Sequence, residues 1–148
     1  MNANEQYRTR HVKKSEITRD WYIVDAKDAV LGRISSRIAK IIQGKEKPHY
    51  TPSQNNGDKV IVINAEHVRM TGKKMTDKQY IRHTGYPGGQ KVETPQDIMD
   101  KHPEELIRRS VDKMLPKNRL RQVFLKNLHI YSGEQHEHEA QKPKKLEL

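Results

Sequence analysis

The chain contains no cysteine. That excludes a disulfide framework and any thiolate metal site, and it is compatible with a reducing compartment. It also lacks a long apolar run: nothing approaches the roughly 20 consecutive apolar residues that a membrane-spanning helix needs. The first twenty residues hold no apolar signal-peptide core, so secretion is not expected. They are basic, but Glu5, Glu16 and Asp20 weaken a transit-peptide reading. Nucleotide-binding glycine patterns are missing too. No Gly-x-Gly-x-x-Gly follows a strand, and Gly72-Lys73-Lys74 lacks the spacing and hydroxyl of a phosphate-binding loop. Hydrophobic residues make up only 32% of the chain, which limits the core to a small sheet-and-helix centre with basic extensions that order on binding.

What the chain has is positive charge. Its 148 residues suit one domain and carry 29 Lys and Arg against 19 Asp and Glu, a net charge of +10. Such a balance calls for a polyanionic partner, nucleic acid first and an anionic membrane surface second. The stretch that organises the rest runs from Pro103 to Gly133, and between Leu106 and Lys126 its basic residues heavily outnumber the acidic ones. Pro103 suits a first helical turn, and Glu104 and Glu105 lie at the positive end of the helix dipole. Ile107, Val111 and Met114 recur at helical spacing as one apolar stripe. Pro116 ends that helix. A second amphipathic piece follows Asn118, a candidate N-cap, with Leu120, Phe124 and Leu128 on one side. The corner projects Lys113, Lys117, Arg119, Arg121 and Lys126, a one-sided charge that a polyanion would turn from repulsion into attraction.

Earlier in the chain, Trp21 to Asp25 is a short β-rich run. Asp28 is a candidate N-cap for a helix with Val30, Leu31, Ile34, Ile38, Ile41 and Ile42 on its apolar face, Arg33, Arg37 and Lys40 on another, and Gly44 as C-cap. Asp58 to Asn64 is a nearly unbroken β-branched run, as in a strand covered on both faces. Strand, helix and buried strand imply a βαβ crossover and a parallel sheet. The strand candidates are Tyr22 to Asp25, Val60 to Asn64, Gln79 to His83 and His129 to Tyr131. Residues 1–20 read as a basic arm containing Arg8, Arg10, His11, Lys13 and Lys14. Residues 134–148 read as a polar tail, with a domain of residues 21–133 between them.

The region from Val60 to Pro103 is loop-rich and holds Lys73, Lys74, Lys78 and Arg82. In His83 to Lys91, Gly85, Gly88 and Gly89 allow a backbone to approach a partner closely, and Tyr86 and His83 offer flat faces for unpaired bases. Pro-Gly-Gly is also strong turn chemistry by itself, and the residues alone leave both readings open. In the tail, His136 and His138 among glutamates invite a metal reading, but no complete ligand pattern is present. A solvated or RNA-contacting tail is the better account.

Several motifs, in order, resemble one family. Trp21-Tyr-Ile-Val-Asp-Ala26 with Leu31-Gly-Arg33, Lys47-Pro-His-Tyr-Thr-Pro52 with Gly57-Asp58, Val62-Ile-Asn-Ala65 with Thr71-Gly-Lys73, and Ser110-Val-Asp-Lys-Met-Leu-Pro-Lys117 all look like the ribosomal protein L-thirteen family of the large ribosomal subunit. The resemblance runs from Trp21 to about Pro143. Lys113 stands where the family usually has Gly, and Arg121 where a Gly is often seen. The resemblance implies an α/β fold of three α/β/α layers, with a parallel sheet of about four strands plus basic loops and extended termini. It implies early binding to large-subunit ribosomal RNA, neighbouring ribosomal proteins, a cytoplasmic ribosomal location and no cofactor; the residues themselves point to no membrane span, no metal and, from the contrast between apolar Val60 to Ile63 and polar Met1 to Asp20, a monomer when free. It also tips the His83 to Gly89 loop toward RNA. The RNA-facing residues it points to are Arg33, Arg37, Lys40, Lys45, Lys47, His49, Tyr50, Lys73, Lys74, Lys78, Arg82, His83, Gly85, Tyr86, Gly88, Gly89, Lys113, Lys117, Arg119, Arg121 and Lys126.

Two rival classes rank lower. An α/β enzyme would use Asp25 and Asn64 at strand ends, with Asp58, Asp77 and His83 as acid, base or ligands, but no spacing ties them together. A helix-turn-helix DNA reader would need its charge on one recognition helix, and here the corner is proline-led and the charge spreads over several faces.

Overall fold

The computed structural model describes residues 12–146, so Arg8, Arg10 and His11 of the basic arm lie outside the described residues. In chain order the elements are β1 (Trp21–Asp25), α1 (Leu31–Gln43), β2 (Lys59–Ile63), α2 (Lys74–Asp77), β3 (Tyr80–His83), β4 (Gln90–Glu93), α3 (Pro95–Lys101), α4 (Pro103–Met114), α5 (Arg121–Leu125), β5 (Leu128–Ile130) and β6 (Lys144–Lys145). Four strands form a parallel sheet in the order β5-β2-β1-β6. Flanked by helices, it belongs to the three-layer α/β/α class that the βαβ pattern and the family resemblance imply.

The sheet grows from the β1–α1–β2 unit. Val24, Val60, Val62 and Leu128 alternate onto one face and pack against Ile34, Ile38, Ile41 and Ile42 of α1 and Leu106, Ile107 and Val111 of α4. Ile61 points the other way and is also fully buried. On that face Trp21 stacks on His129, centroids 5.5 Å apart, and His138 reaches back to lie 4.9 Å from Trp21. The unbroken apolar run of β2 thus reflects a strand covered on both sides. Gly57 sets how closely β2 approaches α1: a Cβ there would stand 1.8 Å from the Ile42 carbonyl oxygen.

Several local expectations need correction. Gln79 to His83 does not join the parallel sheet. Its strand pairs antiparallel with β4 in a separate hairpin, Ile81 opposite Val92 and Arg82 opposite Lys91. Its residues are too exposed and polar to be sandwiched. The fourth sheet strand is instead β6, whose Lys144 and Lys145 sit opposite Tyr22 and Ile23. No apolar pattern marks it, because an edge strand of two lysines is paired through its backbone; beside it the Leu146 N–H donates to the Ile23 carbonyl at 2.9 Å, Leu146 packs against the core and Lys144 Nζ lies 3.6 Å from Asp20.

Asp28 does not cap α1. It adopts φ 56° in the turn before the helix. The N-cap is Val30, and the Leu31 N–H is satisfied by the Arg69 carbonyl at 2.9 Å, a tertiary partner in place of a side-chain cap. Gly44 does close α1. Asn118 likewise does not cap α5, whose N-cap is Leu120; the Asn118 carbonyl accepts from Arg121 N–H instead. Met114 leaves the apolar stripe at the end of α4 and is 42% exposed, while Leu115 takes the buried place. The loop-rich region also contains α3, opened by a capping box between Thr94 and Asp97 with Pro95 at the first position.

Candidate nucleic-acid interface

The basic residues separate into those already neutralised within the fold and those left facing solvent. On α1, the buried face of Ile34, Ile38 and Ile41 forces Arg33, Arg37 and Lys40 outward. Arg37 pairs with Glu46 at 3.0 Å. Arg33, Lys40 and the exposed Lys45 have no carboxylate partner among the described residues. Lys47 is spent inside the fold: its Nζ donates to Asp58 at 2.5 Å and to the Thr18 carbonyl at 2.7 Å. The same Asp58 oxygen accepts from the Asp20 N–H at 2.8 Å, so this pair straps the segment before β1 onto the core. His49 and Tyr50 are exposed beside it, the His49 carbonyl accepting from Asn56 at 2.7 Å.

Lys73, Lys74 and Lys78 surround a shallow depression at α2 with Asp77. Lys78 Nζ lies 5.0 Å from the Tyr80 ring centroid. The loop that follows is an ordered hairpin turn. The Thr84 N–H donates to the Gly89 carbonyl at 3.0 Å, the Gly89 N–H to the Tyr86 carbonyl at 2.9 Å, and the Gly85 N–H to His83 Nδ1 at 2.9 Å. Gly85 and Gly88 take φ of 92° and 71°, values that only glycine adopts without strain. The turn presents Tyr86, 76% exposed, at its tip.

At the α4–α5 corner, Lys113, Lys117, Arg119 and Lys126 are exposed without carboxylate partners among the described residues. Arg121 differs. It pairs with Asp112 of α4, and its Nε is buried with no hydrogen-bond partner. Arg109 is similarly committed, to Glu93 and Glu105, each at 2.9 Å.

Folding joins groups that are far apart in the chain. Arg82 of β3 and Lys113 of α4 line one cleft of about 620 Å³, together with Lys91 of β4. Lys126 lines a second hollow of about 660 Å³ with Arg108 and His129. Arg33 and Lys40 stay on a separate helix face. Lys91, at the end of the glycine segment, and Arg108, at an α4 position whose surroundings no sequence pattern reports, join this surface only through the fold.

The residues of the enzyme reading do not converge. Asp25 accepts from Asn64 and from the Lys27 N–H, both at 2.9 Å, and these bonds hold its carboxyl below the usual carboxylate range. Asp58 is tied to Lys47, and Asp77 accepts from Thr76 at 2.9 Å. No cluster of three or more metal-ligating side chains occurs among the described residues. His138 instead packs edge-on against His129, centroids 4.5 Å apart. Burial pushes the His129 imidazole pKa down, with His138, Lys59 and Arg108 adding repulsion. No described helix is long and apolar enough to cross a membrane.

A family model described as Ribosomal protein L13 matches residues 19–137. A protein named large ribosomal subunit protein uL13 from Geobacter sulfurreducens is 52% identical over 140 residues, covering 95% of this chain and 98% of that one. One of the same name from Citrifermentans bemidjiense is 51% identical over 141 residues, covering 95% and 99%. Another from Thermotoga maritima is 51% identical over 141 residues, covering 95% of each.

Proposed function

Since the chain belongs to the ribosomal protein L13 family, a family of structural ribosomal proteins and not of enzymes, we propose that it is a constituent of the large ribosomal subunit that binds large-subunit ribosomal RNA and supports early subunit assembly. The observation that carries this reading is the division of its cations. Arg37, Lys47, Arg109 and Arg121 have carboxylate partners within the fold. Arg33, Lys40, Lys45, Lys73, Lys74, Lys78, Arg82, Lys113, Lys117, Arg119 and Lys126 have none among the described residues. A free protein holding so many uncompensated charges gains most from a polyanion, whose condensed counterions are released on contact.

The uncompensated cations are the phosphate-contacting set, and Tyr86 at the glycine turn is the base-contacting residue. Gly85, Gly88 and Gly89 shape that turn, and His83, His49 and Tyr50 border the surface. The committed cations Arg37, Lys47 and Arg121 meet RNA only through whatever part of their charge the internal partner leaves free. Residues 1–20 and 134–148 act as extensions of a domain of residues 21–133, the second of them returning to the sheet to pair β6 with β1. Neighbouring large-subunit proteins complete its surroundings, and the free protein is a monomer. The ribosome in the cytoplasm is its place of work.

Sedimentation tests the reading. The tagged protein should co-migrate with large ribosomal subunits and remain there through a moderate salt wash. Migration with free protein at all salt concentrations would overturn it.

A further inference from the structure

We propose that the cleft between the β3–β4 hairpin and α4 is a phosphate-binding groove that seats a length of ribosomal RNA backbone, with Arg82, Lys91 and Lys113 as the groups that meet it. This rests on the RNA-binding reading above and names a place for it.

The first argument is charge that the fold leaves unbalanced. Arg82 and Lys91 are direct cross-strand partners, so two cations stand on one face of a two-stranded ribbon. Like charges so placed are destabilising. The nearby carboxylates give them no relief. Glu93, two residues along the same face, is bound to Arg109 at 2.9 Å, and so is Glu105. Asp112 is bound to Arg121. All three acidic side chains lining the cleft are therefore occupied, and Lys113 enters from α4 as a third free cation. The cleft is pre-arranged for an anion that the protein itself does not provide.

The second argument is the scarcity of apolar anchors: Ile81 is the one aliphatic residue on the cleft's lining, at its hairpin edge. A protein segment docks through an apolar or aromatic anchor in a desolvated pocket. The one aromatic ring here, Tyr80, is already covered: Lys78 Nζ lies 5.0 Å and Arg109 Cζ 5.6 Å from its centroid. Ile81 and Val92 alternate to the opposite face of the hairpin from Tyr80, Arg82, Lys91 and Glu93. A phosphodiester chain needs no such anchor. It needs point charges and a guanidinium fork along a groove, and Arg82 supplies the fork. At about 620 Å³ the cleft has room for a backbone segment, beyond a lone anion.

The test uses the full chain and a large-subunit ribosomal RNA transcript, with affinity measured across a salt series. R82Q/K91Q should lower the log–log salt slope by about 1.4–1.8, two phosphate contacts' worth, and K113Q by about half of that. K27Q/K145Q removes the same number of charges at the far ends of the main-sheet strands and should lower the slope by less than half as much as R82Q/K91Q. Circular dichroism checks each fold. If R82Q/K91Q does not fold, K113Q on the exposed side of α4 carries the comparison, with K27Q alone as its charge-matched control. Absence of RNA binding by the unmutated chain would defeat the functional reading itself. Binding with R82Q/K91Q, or K113Q in its place, indistinguishable from its charge-matched control would defeat the groove alone. Amide shifts of the labelled protein then separate the anion classes. Residues 82, 91 and 113 should respond most to a short oligoribonucleotide. A response to tripolyphosphate or to deca-glutamate at concentrations where the oligoribonucleotide has none would overturn the assignment to RNA.

Discussion

Arg121 of α5 pairs with Asp112 of α4, and the two helices of the basic corner are joined by that ion pair as well as by their apolar contacts. Both side chains are largely shielded, 20% and 26% exposed. The pair therefore lies between a solvent-screened surface bridge and a buried one. It separates two arginines that look equivalent in the sequence. Arg119 has no such partner and remains available to a polyanion.

Arg121→Gln should lower stability by about 1–2 kcal/mol, because it leaves the Asp112 carboxylate partly shielded and unpaired. Arg119→Gln should leave stability within about 0.5 kcal/mol. It should instead reduce the salt slope of RNA binding by roughly 0.7–0.9, one contact's worth. Urea unfolding of both variants beside an RNA titration checks the split. Equal stability loss in the two would contradict it.

Phe124 is 2% exposed in the core shared by α4, α5 and the sheet, whereas Met114 is 42% exposed. Phe124→Ala should cost about 3–5 kcal/mol, and Met114→Ala less than about 0.5 kcal/mol. Thermal unfolding of the pair measures the difference. A Phe124→Ala protein that melts with the parent would refute the core assignment.

Gly57→Ala places a methyl group 1.8 Å from a backbone oxygen of α1. A backbone atom cannot rotate away as a side chain can, so helix and strand must part. The expected loss exceeds the ordinary overpacking range of about 1–3 kcal/mol. Gly32→Ala serves as the control, because a Cβ there meets nothing within 4 Å. A Gly57→Ala protein as stable as that control would show that the α1–β2 approach is looser than described.

Burial, with repulsion from His138, Lys59 and Arg108, lowers the His129 pKa below its ordinary value. Protonation is thus easier in the unfolded chain, so the unfolded state binds more protons as pH falls. The contribution of this group is fully present above the unfolded value of about 6.5 and declines as pH drops from there toward the lower folded value. His129→Gln should flatten stability between about pH 7 and 5. Proton NMR of the imidazole checks the direction, and a His129 midpoint above that of a free histidine would reverse the sign.

The sequence by itself determined the charge balance, the β1–α1–β2 unit, the proline-started helix α4 and the burial of Phe124. Each is written in local periodicity or in the fixed chemistry of a single residue type, and the motif order carried the family as well. Other features were not readable there. β6 consists of two lysines paired to Tyr22 and Ile23, and backbone hydrogen bonding to an edge leaves no side-chain pattern. Asp28 and Asn118 look like caps, but α1 takes its first N–H partner from Arg69, remote in the chain. The candidate surface divides in the same way. Composition counts every Lys and Arg alike, yet Lys47, Arg109 and Arg121 are consumed by Asp58, Glu93, Glu105 and Asp112, while Arg82, Lys91 and Lys113 meet across one cleft. Which cation finds a carboxylate depends on distances of a few ångströms between segments far apart in the chain, and only the packing of the hairpin, α4 and α5 sets them.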